Sequence, residues 1–193
     1  MLTPKRHPRK ASAFTLVELL TVMTIIGILA GLVLGTFKFT QEKSARGRAE
    51  AEIKAMEAAI TAYQIENGEF PRLGDDGATD SLDAKTNGDP TSPGYKESNL
   101  HLYKQITGDL DGDLSTKPTT KQFFEFKPNQ LSFSDSGKTK VNGIVDPWGA
   151  YYGYSTANAQ DSSKGYNPTF DLWSTGGKTG VPATDGQKWL KNW

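Results

Sequence analysis

The acidic residue Glu18 is the clearest candidate for chemistry in this sequence. It is the only formally charged residue in an apolar run of 24 residues that extends from Phe14 to Phe37. A carboxylate inside such an apolar helix is energetically costly unless a cation neutralises it. Because no cationic side chain lies near Glu18 in its own helix, we expect its partner to come from another molecule.

No pattern in the sequence predicts a catalytic centre. The stretch Asp109–Asp113 is calcium-like in composition, but an EF-hand loop needs Gly at its sixth position and Glu at its twelfth. Counted from Asp109, those positions hold Leu114 and Thr120, so we interpret the stretch as a solvated acidic turn. The chain has no cysteine and two histidines, which disfavours a multi-histidine zinc site. We therefore predict that the protein is not an enzyme.

The positive charge of the chain is concentrated at its start. Residues 1–13 contain four basic residues and no acidic one. The whole chain has 22 basic and 22 acidic residues, so residues 14–193 alone carry a net charge of −4. A basic segment that precedes an apolar run stays on the cytoplasmic side of a membrane. The acidic remainder gives no electrostatic support for nucleic-acid binding.

The start of the chain resembles the type IV prepilin signal. A basic leader is followed by the small residue Ala13, by Phe14, and by Glu18 as the fifth residue counted from that phenylalanine. Later motifs resemble the major pseudopilin of type II secretion systems. In chain order they are Asn67-Gly-Glu-Phe-Pro71, Asp146-Pro-Trp-Gly149, Tyr152-Gly-Tyr154, Asp171-Leu-Trp-Ser174 and Asn192-Trp193. Residues 72–145, which we call the insertion, form a longer stretch than that family usually has.

The resemblance implies how the chain is processed and where it works. A prepilin peptidase would cut between Ala13 and Phe14 and methylate the new amine. Residues 1–13 would be a cytoplasmic leader, residues 14–37 the half of a helix that crosses the inner membrane once and directs assembly, and residues 38–193 the periplasmic domain. The subunits would assemble into a filament with other pseudopilins and an assembly platform, and Glu18 would pair with the Phe14 amine of a neighbouring subunit.

The resemblance also implies a calcium site in the loop after the last strand. Its ligands would be the carbonyl oxygens of Thr175 and Gly180 and the carboxylate of Asp185. The first aspartate of the family's loop falls on Lys178 in this chain, and an ammonium group repels a cation. We therefore expect no cofactor, with calcium as the alternative, and we expect Lys178 to pair with Asp185.

The sequence predicts an α+β fold, in which a long helix packs on a small antiparallel sheet. This fold would position Glu18 and the candidate calcium ligands. Apolar residues recur at three- and four-residue steps from Ala49 to Tyr63, which predicts one buried stripe on a helix spanning residues 14–67. Asn67-Gly68 followed by Pro71 predicts the end of this helix. The first half of the helix, which is apolar all round, would be its membrane half, and the second would be its amphipathic half.

The rest of the chain predicts short elements around that stripe. Residues 74–99 are rich in small and polar residues, which predicts an exposed loop or a partly disordered insertion. Residues 100–106 are predicted to follow as a short helix. Strands are predicted at four places: residues 123–126 and 130–133, joined as a hairpin, and residues 151–154 and 170–173. Trp148, in the turn at residues 146–149, is interpreted as a packing anchor.

Two functions of different classes remain open from the sequence. The first is a structural subunit of a secretion pseudopilus, which should be abundant and encoded beside a secretion ATPase and an outer-membrane channel. The alternative is a type IV pilus subunit or a minor pilin-like binding module that serves adhesion or DNA uptake. A binding module should be scarce, and loop mutations should abolish its ligand binding alone.

Overall fold

A single long helix begins the described part of the chain. The computed structural model describes residues 14–73 and 78–193, apart from the side chains of residues 33–38 and 78. Helix α1 spans Leu16–Asn67, which confirms the predicted helix. It ends at Gly68, whose φ is 84° and whose N–H donates to the carbonyl of Gln64 at 2.8 Å. Glycine adopts this left-handed conformation without strain, so the cap is the predicted one.

The chain divides into two compact units, and α1 contributes to both. The first unit ends at Lys43 and the second extends from Ser44 to Trp193. In the first unit, all side chains from Phe14 to Leu32 are exposed. Judged by length and hydropathy, no helix within the described residues qualifies as a membrane span. The membrane crossing of residues 14–37 therefore stays a prediction.

The second unit buries one face of α1. Ala49, Ile53, Met56 and Ile60 are at most 3% exposed, and Tyr63 is half-buried, so the predicted stripe is confirmed. These residues belong to a core whose other large members come from later in the chain. Those members include Leu102, Tyr103, Ile106, Leu131, Ile144, Tyr152, Tyr154 and Leu172.

Within the described residues, four shorter α-helices follow α1. They are α2 (Ala78–Ser81), α3 (Pro93–Thr107), α4 (Ala157–Gln160) and α5 (Pro182–Asp185). The predicted loop over residues 74–99 is therefore wrong for α2 and for the first half of α3, while residues 74–77 lie outside the described residues. Helix α3 begins with Pro93, at the position where proline loses no intrahelical hydrogen bond. It buries Tyr95 and Asn99 before the predicted start at residue 100.

The described part of the second unit also contains two small antiparallel sheets, which confirms the α+β fold. Strand β1 (Leu131–Phe133) pairs with β2 (Val141–Ile144). In the other sheet, β4 (Asp171–Ser174) lies between β3 (Gly153–Ser155) and β5 (Leu190–Lys191). The strands predicted at residues 151–154 and 170–173 thus correspond to β3 and β4, with small shifts at their ends.

The predicted hairpin of residues 123–126 and 130–133 is wrong. Of its two segments only the second contains a strand, β1, and that strand pairs with β2. The N–H groups of Phe123 and Phe124 both donate to the carbonyl of Ile106, at 2.8 and 2.9 Å. The first segment therefore satisfies a carbonyl in the last turn of α3, and its Phe124 and Phe126 pack against the core.

Candidate functional site

The start of α1 is held by a reciprocal capping box between Thr15 and Glu18. The N–H and the hydroxyl of Thr15 donate to Oε2 of Glu18, at 2.9 and 2.8 Å. In return, the N–H of Glu18 donates to Oγ1 of Thr15 at 3.2 Å. This is the pattern in which a Thr before the helix and a Glu three residues later satisfy each other's backbone donors.

The capping box fixes the position of the Glu18 carboxylate. Both bonds from Thr15 end on Oε2, and within the described residues Oε1 accepts no hydrogen bond. The carboxylate also lies at the positive end of the helix dipole, which favours its charge. Thr15 is a positioning residue that the sequence analysis missed, although Thr-x-x-Glu before an apolar run is a recognisable signal.

Around this carboxylate the first unit presents an apolar surface. Phe14 and Leu16 are 80% and 82% exposed, and Leu20 and Met23 are 62% and 63% exposed. Exposed apolar surface of this extent marks contact with a membrane or another protein. Phe14, the predicted new terminus, lies beside the capping box, whereas Ala13 and the leader lie outside the described residues.

The candidate metal loop follows β4, and its predicted ligands are engaged by the chain itself. The carbonyl of Thr175 accepts the N–H of Lys178 at 3.0 Å, and the carbonyl of Gly180 accepts the N–H of Gly88 at 3.1 Å. The carboxylate of Asp185 accepts the hydroxyl of Thr179 on Oδ2 at 2.6 Å. Its other oxygen, Oδ1, accepts the ammonium of Lys188 at 2.7 Å.

The ion pair of this loop involves a different lysine from the predicted one. Lys188, three residues after Asp185, makes the pair, and the predicted pairing with Lys178 is wrong. The Lys188 ammonium, with the Thr179 hydroxyl, lowers the pKa of Asp185 to about 2. A cation already occupies the carboxylate, so these residues do not fit a calcium ion as they stand. Across the described residues, no cluster of three or more acidic or histidine side chains could hold a metal.

The acidic stretch at residues 109–113 forms a turn, as the sequence predicts, but the predicted solvation is wrong for Asp109. Asp109 is buried, and its Oδ1 accepts the N–H groups of Gly112 and Asp113 at 3.0 and 3.1 Å. Its Oδ2 accepts the hydroxyl of Tyr103 at 2.8 Å. Asp113 forms an ion pair with Lys140. The turn thus uses its carboxylates to bind its own backbone and neighbouring side chains.

The turn at residues 146–149 is likewise structural. The buried carboxylate of Asp146 accepts the N–H groups of Trp148 and Ala150, at 3.0 and 2.9 Å, and the hydroxyl of Ser174. Burial raises the pKa of Asp146. Trp148 packs against the main core, in agreement with its interpretation as a packing anchor.

Comparison with known proteins agrees with the resemblance seen in the sequence. The pattern described as the prokaryotic N-terminal methylation motif matches residues 8–34. The type II secretion system core protein G of Aeromonas hydrophila is 33% identical over 89 residues, which are 46% of this chain and 61% of that protein. Over that match, the chain spans less than two thirds of the relative's length.

Two relatives with the same name match over more of their length. The protein from Dickeya chrysanthemi is 27% identical over 92% of this chain and 84% of its own. The protein from Pseudomonas aeruginosa is 25% identical over 96% of each chain. No solved structure matches this chain. The resemblance to the type IV pilin-like family, and to the major pseudopilin within it, is confirmed.

Proposed function

We propose that this chain, a pilin-like protein similar to the type II secretion pseudopilin, is a structural subunit of a type II secretion pseudopilus. A prepilin peptidase removes residues 1–13 and methylates the amine of Phe14. Residues 14–37 anchor the subunit in the inner membrane, and residues 38–193 lie in the periplasm. The subunits then assemble with one another and with other pseudopilins on an assembly platform. The role is structural and not enzymatic.

The uncovered start of α1 carries this proposal. Its described side chains are apolar on all sides and exposed, so the chain itself supplies no core for them within this unit. Such a helix needs a lipid or protein environment. Packing of several such helices side by side in a filament would bury this surface.

Glu18 gives that packing a register. Cleavage creates a cation, the amine of Phe14, which remains positive after a single methylation. Thr15 holds the carboxylate by Oε2, and Oε1 would accept the amine of a neighbouring subunit. An unpaired carboxylate in an apolar interface is strongly unfavourable, so pairing would reject misregistered neighbours.

Replacement of Glu18 tests the assembly role. Glu18→Gln should leave cleavage and membrane insertion intact and should abolish most filaments, while Glu18→Asp should restore them in part because its side chain is shorter. Filaments are counted by electron microscopy, and processed subunit is measured by immunoblot. Glu50→Gln is the matched control, since Glu50 is an exposed acid of the same helix. Normal filament numbers in Glu18→Gln would refute the role.

Processing is tested independently by mass spectrometry of the envelope protein. The proposal expects a chain that begins with N-methylated Phe14. A mature chain that retains residues 1–13 would contradict the prepilin interpretation, whatever the filament counts show.

A further inference from the structure

The insertion has a described turn, Asp83–Ser92, that binds the candidate metal loop; we call it the docking turn. At its centre, the N–H of Gly88 donates to the carbonyl of Gly180 at 3.1 Å. The carbonyl of Gly88 accepts the indole N–H of Trp173, from β4, at 3.0 Å. Both backbone groups of Gly88 are thus used by the C-terminal part of the chain.

The docking turn and the candidate metal loop each have a glycine where they approach each other, Gly88 in the turn and Gly180 in the loop. A Cβ at Gly88 would lie 2.1 Å from Cη2 of Trp189, and a Cβ at Gly180 would lie 2.2 Å from Cα of Asp89. Real Cβ atoms do not come so close to other heavy atoms, so a side chain at either position would force the two segments apart. The contact depends on the absence of side chains at both places.

Trp189 connects this contact to a second core. It is 4% exposed and packs with Trp173, Tyr95 and Ala84. Its indole N–H donates to the carbonyl of Thr179 at 3.0 Å. The ring therefore covers Gly88 on one side and fixes the loop backbone on the other.

We infer that the docking turn, with the Lys188 ammonium, takes the place of the calcium ion implied by the resemblance, so that the loop closes without a metal. All three groups that would bind the ion already have partners within the chain. The carbonyl of Gly180 is satisfied by Gly88 and that of Thr175 by Lys178, while the Asp185 carboxylate is neutralised by Lys188. A calcium ion would have to displace the Lys188 ammonium and share both carbonyls with the N–H groups that already donate to them. The inference gives the insertion a structural role that is independent of the proposed assembly function.

Thermal unfolding of the full processed chain in detergent tests this inference. The melting temperature, followed by tryptophan fluorescence, should be the same in excess EGTA and in excess calcium. Gly88→Ala should lower it by roughly 5 °C or more in both conditions, because the new Cβ displaces Trp189. Gly47→Ala is the matched control, since a Cβ there would meet no atom within 4 Å.

Two results would overturn the inference. One is a fall of the wild-type melting temperature in EGTA that added calcium restores. The other is a Gly88→Ala variant that melts like Gly47→Ala. If Gly88→Ala does not accumulate, Trp189→Phe replaces it, because it removes the bond to Thr179 and the ring atom over Gly88. In that case, an unchanged melting temperature in Trp189→Phe would refute the inference in place of the second result.

Discussion

Before Lys43, helix α1 is largely apolar on all sides, and its described side chains from Phe14 to Leu32 are exposed. After Ser44, the same helix has a buried apolar stripe, formed by Ala49, Ile53, Met56 and Ile60. The second half of α1 packs into the core of the second unit. The described side chains of the first half pack into no core within the first unit. If the first half assembles into a filament as proposed, this difference separates the part of α1 that packs within the chain from the part that packs on other subunits.

The capping box and the stripe also differ in what they stabilise. Thr15 and Glu18 satisfy backbone donors at a helix start whose described apolar side chains are exposed, so their bonds position a carboxylate more than they stabilise a core. In the second unit, polar side chains serve the core directly. The buried amide of Asn99, for example, donates to the carbonyls of Ile144 and Tyr152, at 3.1 and 2.7 Å, and accepts the N–H of Ile144 at 2.6 Å.

The largest expected effect contrasts two isoleucines of α1. Ile60 is fully buried and Ile26 is 54% exposed. Ile60→Ala should lower the free energy of unfolding of the second unit by about 2–5 kcal/mol, because it leaves a cavity in the core. Ile26→Ala should leave that free energy unchanged and should instead weaken filament assembly.

Chemical denaturation followed by tryptophan fluorescence measures both isoleucine variants, since all four tryptophans lie after residue 147. Filament counts for each variant complete the comparison. Equal losses of stability in the two variants would break the distinction drawn between the halves of α1.

A smaller effect is expected from the capping residue. Thr15→Val removes the hydroxyl that donates to Glu18, at a cost of about 1 kcal/mol in the stability of the helix start, and leaves the backbone N–H that donates to the same oxygen. We expect fewer filaments from this variant, but more than from Glu18→Gln, because the carboxylate remains and is only held less firmly. Thr21→Val is the control, since its hydroxyl donates to the carbonyl of Val17 at 2.8 Å and contacts no carboxylate. Equal filament counts in both threonine variants would refute the positioning role.

The sequence predicted those features that depend on local periodicity. The stripe from Ala49 to Ile60 follows from the spacing of apolar side chains. The cap at Gly68 follows from the ability of glycine to adopt a left-handed conformation. The strand predicted at Phe123–Phe126 was wrong because a short aromatic segment has the same sequence pattern in two situations. It can pair as a strand, or, as here, its N–H groups can donate to a carbonyl at the end of α3. A helix beginning at Pro93 was missed because the small residues around it look like a loop.

The candidate sites show the same limit. Glu18 is conspicuous because it is a lone charge in an apolar run, and the structure adds Thr15 to it. Which lysine reaches Asp185 depends on the path of the chain through α5, and spacing from a family motif pointed to Lys178 instead of Lys188. The closure of the loop by Gly88 joins residues far apart in sequence, and no local pattern indicates such a contact.

The smallest effect should appear in the acid sensitivity of the second unit. His101 lies in α3, and burial lowers its pKa below the ordinary value near 6.5, with a smaller contribution from Lys104. Its Nε2 is buried and has no hydrogen-bond partner among the described residues. A hydrogen bond to the backbone of Arg72 offsets part of this lowering of the pKa. Protonation would still place a positive charge, and an unpaired donor at Nε2, in a partly buried site.

The sign of the pH effect follows from this lowered pKa. The unfolded chain binds a proton at His101 more readily than the folded chain, so stability is fully present above about pH 6.5 and is lost as the pH falls toward the folded pKa. In the processed chain His101 is the only histidine, and the raised pKa values of Asp146 and Asp171 act in the opposite direction. Urea unfolding at pH 7 and pH 5.5 should show a loss of stability in the wild type that is smaller in His101→Gln. If the two proteins lose equal stability between pH 7 and pH 5.5, the buried histidine does not contribute to the dependence of stability on pH.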